Sequence, residues 1–110
     1  MLKALSLALI SLALIPTLST ASDAVSANTD SMVQGEKLYK SACIACHGTG
    51  AANAPVLGNK KAWAPIIEQG MDQIISVALH GKGAMPARGG TKADDATLRA
   101  AVEYMISRAQ

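Results

Sequence analysis

Two cysteines and a histidine fall within five residues, Cys43-Ile44-Ala45-Cys46-His47, and they carry the most specific chemistry in the chain. Positions three apart on a helix are neighbours across one turn, so both thiols can add across the two vinyl groups on one edge of a porphyrin. The adjacent histidine then offers an imidazole to the iron. C-x-x-C-H is therefore read as the attachment site of one covalently bound c-type haem, with thioethers at Cys43 and Cys46 and His47 as proximal ligand. A redox dithiol uses the same spacing, but the βαβ surroundings that it requires are missing.

A second stretch, Gly81-Lys82-Gly83-Ala84-Met85-Pro86-Ala87-Arg88-Gly89-Gly90, presents one sulfur. Its glycines let the backbone lie close to a haem face, and Pro86 fixes φ just after Met85. A thioether at Met85 completes a His/Met iron, a soft ligation that favours ferrous iron and raises the reduction potential. Met32 lies at a helix start and Met71 and Met105 lie beside or within apolar helical stripes, so core filling describes them better. His80 is the rival distal ligand and would make a bis-His iron. An open distal position, suited to gas binding or peroxide chemistry, is the alternative function.

Length and composition say what must hold these residues in place. The 110 residues allow one domain. Met1-Leu2-Lys3 followed by the apolar run Ala4 to Leu14 reads as a secretory signal, too short to span a bilayer comfortably, with Pro16 breaking it. Cleavage is expected after Ala21, with Ala24 as the alternative site, so 1–21 is a cleaved signal peptide and no stable membrane anchor is expected. Residues 22–30 read as a flexible leader and 31–110 as the monohaem domain. A domain of this size buries a small core. Cys43 and Cys46 are the two cysteines, and a bridge between them would close almost no loop, so a disulfide framework cannot compensate. Trp63, Tyr39 and Tyr104 are the three aromatic residues, which leaves a large flat cofactor to fill the centre that aromatics normally fill.

No alternating strand pattern appears, and the domain reads as all-α. The first helix is expected to start at Ser31 as N-cap with Gln34 completing a capping box. Its inward stripe is Met32, Gly35, Tyr39, Ala42 and Cys46, which runs into the haem thiols. Gly35 costs about 1 kcal/mol against alanine inside a helix, and so marks a close helix crossing. Further helices are expected over Lys61–Gln69, with Pro65 tolerated near the first turn, and over Asp72–Leu79, stopping at His80-Gly81. The last runs from Asp94-Asp95 to Arg108 with Leu98, Ala101, Val102 and Met105 facing in, and is the natural partner for Gly35. In the small-residue loop after His47, a carbonyl such as that of Pro55 can accept from the imidazole Nδ1–H. The Trp63 indole can reach a haem propionate or an ordinary backbone acceptor.

These residues resemble a known family, the class I c-type cytochromes, and within it the bacterial cytochrome c5 group. The resemblance covers Gly35 to Arg108. It rests on Gly35-x-x-x-Tyr39 before Cys43-x-x-Cys46-His47, on Gly-Ala-rich residues leading to Pro55, on Trp63-Ala64-Pro65, on Gly81-Lys82-Gly83-Ala84-Met85-Pro86 and on Tyr104-Met105. One departure concerns the extra cysteine pair that members of that group often carry after the methionine loop; Gly89 to Asp94 has none. The resemblance implies a small cytochrome c fold of three to five helices packed around one haem, with crossed N- and C-terminal helices. It also implies thioethers at Cys43 and Cys46, His47 and Met85 on the iron, and electron shuttling in the periplasm.

A monomeric one-electron carrier follows, rather than an enzyme: no substrate bond is made. The formal charge is +2, and losing Lys3 leaves the chain nearly neutral. Between positions 60 and 92, Lys60, Lys61, Lys82, Arg88 and Lys92 outnumber Glu68 and Asp72. They can steer acidic redox partners, such as a terminal oxidase, a reductase or a cytochrome bc1-type complex, into weak electrostatic encounters, or form a merely solvated face. So mild a basic bias, in an exported chain, argues against nucleic acid.

Overall fold

The computed structural model describes residues 13–15 and 21–110. The expected signal segment lies almost wholly outside them. Among the described residues the chain forms helices and loops, with a single bridge between Lys82 and Met85 and no longer strand. No helix there is long and apolar enough to cross a membrane.

Helix α1 (Ala21–Leu38) continues through a π turn (Tyr39–Cys43) into the short α2 (Ile44–His47). After these come α3 (Lys60–Ile67), α4 (Met71–His80) and α5 (Asp95–Ser107), so the described residues make four α-helical bodies, with short 3-10 turns at Ala51–Asn53 and Ala87–Gly90. Two expectations fail along the first. Residues 22–30 are not a loose leader but exposed helix, and Ser31 lies inside α1 rather than capping it. The hydroxyls that normally compete with a helix are turned to its service here: Ser26 Oγ donates to Ser22 O at 3.2 Å and Thr29 Oγ1 to Val25 O at 3.0 Å.

The π turn changes which residues face inward. A regular helix would carry the stripe from Tyr39 through Ala42 to Cys46. One wide turn delays every later residue by one position, and the stripe becomes Gly35, Tyr39, Cys43 and His47. Gly35, Tyr39 and His47 are buried, Cys43 packs against the core, and Cys46 is exposed.

Where α1 crosses α5, Gly35 is the contact. A Cβ there would collide with the Ala100 carbonyl oxygen and lie 3.0 Å from Ala101 N, so glycine alone allows this approach. Around the crossing, Tyr39, Leu98, Val102, Tyr104 and Met105 form the core. Tyr39 and Tyr104 pack at 5.5 Å between ring centroids, and the Arg108 guanidinium lies 5.0 Å from the centre of the Tyr104 ring. Burial, the main cause, pushes the Tyr39 hydroxyl above its ordinary pKa.

The other helices start and stop on recognisable signals. Asn59 Oδ1 accepts from Ala62 N at 3.1 Å to cap α3, and Asp94 Oδ1 accepts from Thr97 N at 2.8 Å to cap α5. Pro65 departs from expectation, since it lies in the interior of α3 rather than its first turn. The helix ends two residues later, so only a short stretch has to tolerate the missing N–H.

Candidate cofactor site

Cys43, Cys46, His47 and Met85, singled out from the sequence on two separate stretches, all line one cavity of about 360 Å³. Its size falls within the range of small-molecule sites, ~300–1,000 Å³. Val77 of α4 and the alanines of the loop after His47 complete much of the wall.

His47 is fixed from three directions. Its Nδ1 lies 2.9 Å from Pro55 O. A carbonyl can only accept, so Nδ1 is the donor, which in the neutral imidazole leaves Nε2 with the lone pair for another partner. The His47 carbonyl accepts from Leu57 N at 2.7 Å, which folds the following loop back over α2. Trp63 packs against the imidazole with ring centroids 5.9 Å apart and planes at 31°. Its indole Nε1–H donates to Val56 O at 3.0 Å. That bond is the ordinary-backbone alternative. His47 and Trp63 thus pin the same loop at consecutive carbonyls, Pro55 and Val56.

The two thiols are unpaired and differ in surroundings. Cys46 is exposed, whereas Cys43 is half-buried and burial pushes its thiol pKa up. Ala52 and Asn53, also in the wall, have φ of 52° and 61°. For alanine the left-handed conformation costs about 1–2 kcal/mol. The strain falls where the loop lines the cavity, as strain tends to do at functional sites.

Met85 owes its position to a tight turn. Lys82 N donates to Met85 O at 2.9 Å and Met85 N to Lys82 O at 3.0 Å, so both backbone groups of Met85 are engaged. Gly83 takes the first central position with φ of 57°. Beneath it, Gly81 has φ of 81°, and a Cβ there would stand 2.6 Å from Met85 O and 2.8 Å from Ala87 N. His80 is elsewhere: it is exposed, its Nδ1 is 2.9 Å from Ser76 O, and it does not line the cavity. Of the five basic residues expected to steer partners, Arg88 is committed, with Nη2 2.6 Å from Asp95 Oδ1. Lys60, Lys61, Lys82 and Lys92 are exposed, and Lys82 borders the cavity.

Soft sulfur donors beside an imidazole suit iron in a porphyrin rather than a hard cation. A family model described as cytochrome c oxidase, cbb3-type, subunit III matches residues 30–105. Cytochrome c-555 of Chlorobaculum tepidum is 43% identical over 81 residues, covering 69% of this chain and 75% of that protein. The chain belongs to the class I c-type cytochromes. Cytochrome c5 of Azotobacter vinelandii, 40% identical over 75 residues and 89% covered, is a similar relative within the class. Among solved structures, a chain in an electron transfer complex of nitrite reductase with cytochrome c is 62% identical. It superposes with a TM-score of 0.69 over 70% of this chain and 95% of that one. As a class I cytochrome the protein carries covalently bound haem c with its iron, and it passes electrons rather than transforming a substrate.

Proposed function

We propose that this cytochrome is a periplasmic monohaem carrier whose haem is bonded to Cys43 and Cys46 and whose iron is held by His47 and Met85. The observation that carries this reading is the single cavity that all four residues line. Haem supplies a one-electron ferric/ferrous couple when bound; the chain's own residues do the rest. Pro55 O holds the Nδ1 proton and so directs Nε2 at the cavity. The hairpin at Lys82 and Met85 holds the thioether without a long flexible lever. Ala51, Ala52, Ala54, Ala84 and Pro86 line the cavity with apolar surface that would limit water around a bound haem.

Residues 1–21 act as a cleaved export signal in this reading, and the mature domain works in the periplasm. Its partners are redox enzymes, with a nitrite reductase the most concrete candidate because a similar chain is found in a complex with one. Lys60, Lys61, Lys82 and Lys92 favour an acidic face on that partner. Encounter rates should then fall as ionic strength rises, and a rate that ignores salt refutes the steering.

The ligand assignment is tested by the optical spectrum of Met85→Ala beside wild type. Loss of the sulfur-to-ferric-iron absorption band is expected, with rapid carbon monoxide binding to the ferrous variant and none to wild type. An unchanged band moves the distal ligand elsewhere. A pyridine haemochrome spectrum on denatured protein tests the two thioethers, and release of free haem refutes them.

A further inference from the structure

The segment that follows Met85 ends on α5, and one side chain makes the join. Arg88 has φ of 56°, a left-handed conformation that arginine rarely adopts. That turn aims its guanidinium at the start of α5. There Nη1 donates to Ala93 O at 3.0 Å and Nη2 pairs with Asp95 Oδ1 at 2.6 Å. The same residue's carbonyl accepts from Thr91 Oγ1 at 2.8 Å and Thr91 N at 3.1 Å, and Thr91 Oγ1 accepts from Ala93 N at 3.2 Å. Pro86 O accepts from Gly89 N at 3.1 Å. Every bond in this set closes the chain between Pro86 and Asp95.

The two ends of the set differ in rigidity. Asp95 opens α5, whose Leu98, Ala101, Val102 and Met105 are buried in the core. Met85 sits on a two-residue hairpin, and the residues after it, Ala87–Gly90, pack against α4 and touch the π turn, with Ala87 N close against Gly81. The packing on α4 leaves the far end of the segment to be tied, and the Arg88 guanidinium ties it, closing on Ala93 O and reaching the first residue of α5 at Asp95. The strained φ at Arg88 fits this view, since a glycine would occupy the turn with less strain but could not reach α5.

We propose that Arg88 is a positioning residue for Met85: by clamping the Pro86–Ala93 segment to α5 it sets how often the thioether leaves the iron. The proposal rests on the reading of Met85 as the distal ligand. Its action is on the opening of the site rather than on the fold, which the α1–α5 crossing secures independently.

The test is stopped-flow uptake of imidazole by the ferric holoprotein. At saturating imidazole the rate becomes the opening rate of the Met85–iron bond. Arg88→Gly relieves the backbone strain and removes the fork, and is expected to raise the limiting rate about tenfold with little change in Tm. Arg88→Lys keeps the charge for Asp95 but cannot fork to Ala93 O, and should fall between. Salt screens the Arg88–Asp95 pair, so the wild-type rate is expected to rise with ionic strength; Asp95→Asn should raise the rate less than Arg88→Gly and remove that salt dependence. Arg99→Ala, which removes an exposed pair with Glu103 2.9 Å apart, should leave the rate unchanged. An Arg88→Gly protein that opens at the wild-type rate overturns the clamp. Met85→Ala separates the two readings: if it keeps the sulfur band, the ligand assignment fails and the clamp with it, whereas band loss with an unaffected Arg88→Gly rate defeats the clamp alone.

Discussion

Replacing Gly35 with alanine adds one methyl group at the point where α1 meets α5. The new Cβ collides with the carbonyl oxygen of Ala100 and comes within 3.0 Å of Ala101 N. These are backbone atoms of a helix with seven buried residues, so no side chain can rotate away. The helices have to part, which loosens Tyr39 from Tyr104 and from the apolar face of α5. Overpacking costs about 1–3 kcal/mol, and a contact with backbone belongs at the upper end. Against it stands a gain in helix propensity of about 1 kcal/mol. The net loss of about 2 kcal/mol should lower Tm by roughly 8–16 °C in a domain of this size. Thermal unfolding of the haem-loaded protein by far-ultraviolet circular dichroism reads the change, with Soret absorbance confirming equal haem content. A variant as stable as wild type, or more so, would mean that propensity alone operates at position 35 and that the helices do not touch there.

Three other perturbations address the site and its supports. Gly81→Ala forces a side chain into a left-handed turn against Met85 O, and should both weaken the sulfur-to-iron band and lower Tm, whereas an intact band would show that the hairpin tolerates the shift. Trp63→Phe leaves Val56 O without its donor and should cost about 1–3 kcal/mol in denaturant unfolding, with no loss of covalent haem. Asp94 is held below the usual carboxylate range, chiefly by the Thr97 backbone N–H. A depressed pKa contributes stability that is present above the ordinary carboxylate value and is lost as pH falls through the depressed one. Asp94→Asn keeps an oxygen for the cap and should flatten the acid limb of stability against pH; an unaltered acid limb would exclude Asp94 as a contributor.

Much of this molecule was legible in the sequence because its signals are local. The start of α5 at Asp94-Asp95, the stop at Gly81 and the apolar stripe of α5 each depend on residues within one or two turns of each other. Gly35 was legible for a different reason: an unfavourable residue in a good helix asks for a tertiary explanation, and α5 supplies it. The π turn was not legible. Nothing in Tyr39-Lys40-Ser41-Ala42-Cys43 distinguishes five residues in a wide turn from five in a regular one, and the phase of every later residue depends on that difference. The helical start at Ala21 was hidden by residues usually found in loops, whose hydroxyls bond back to helix carbonyls here. For Arg88, charge and position suggested a free surface base. Its left-handed φ, and therefore its reach to Ala93 and Asp95, depends on the turn that precedes it. The Trp63 N–H had two acceptors in prospect, and the fold of the loop decided between them.

The packing of Trp63 on His47 also makes the protein its own optical gauge. It is the sole tryptophan in the chain, and it is buried 5.9 Å from an imidazole that lines the haem cavity. An indole so close to an intense absorber passes its excitation on before it can emit, so the native holoprotein should be nearly dark under ultraviolet light. Emission then returns only as the loop around Pro55 and Val56 separates from α2. A single unlabelled fluorescence trace can report when that corner opens, and comparison with the circular dichroism signal from α1 and α5 can show whether it opens before the crossed helices part.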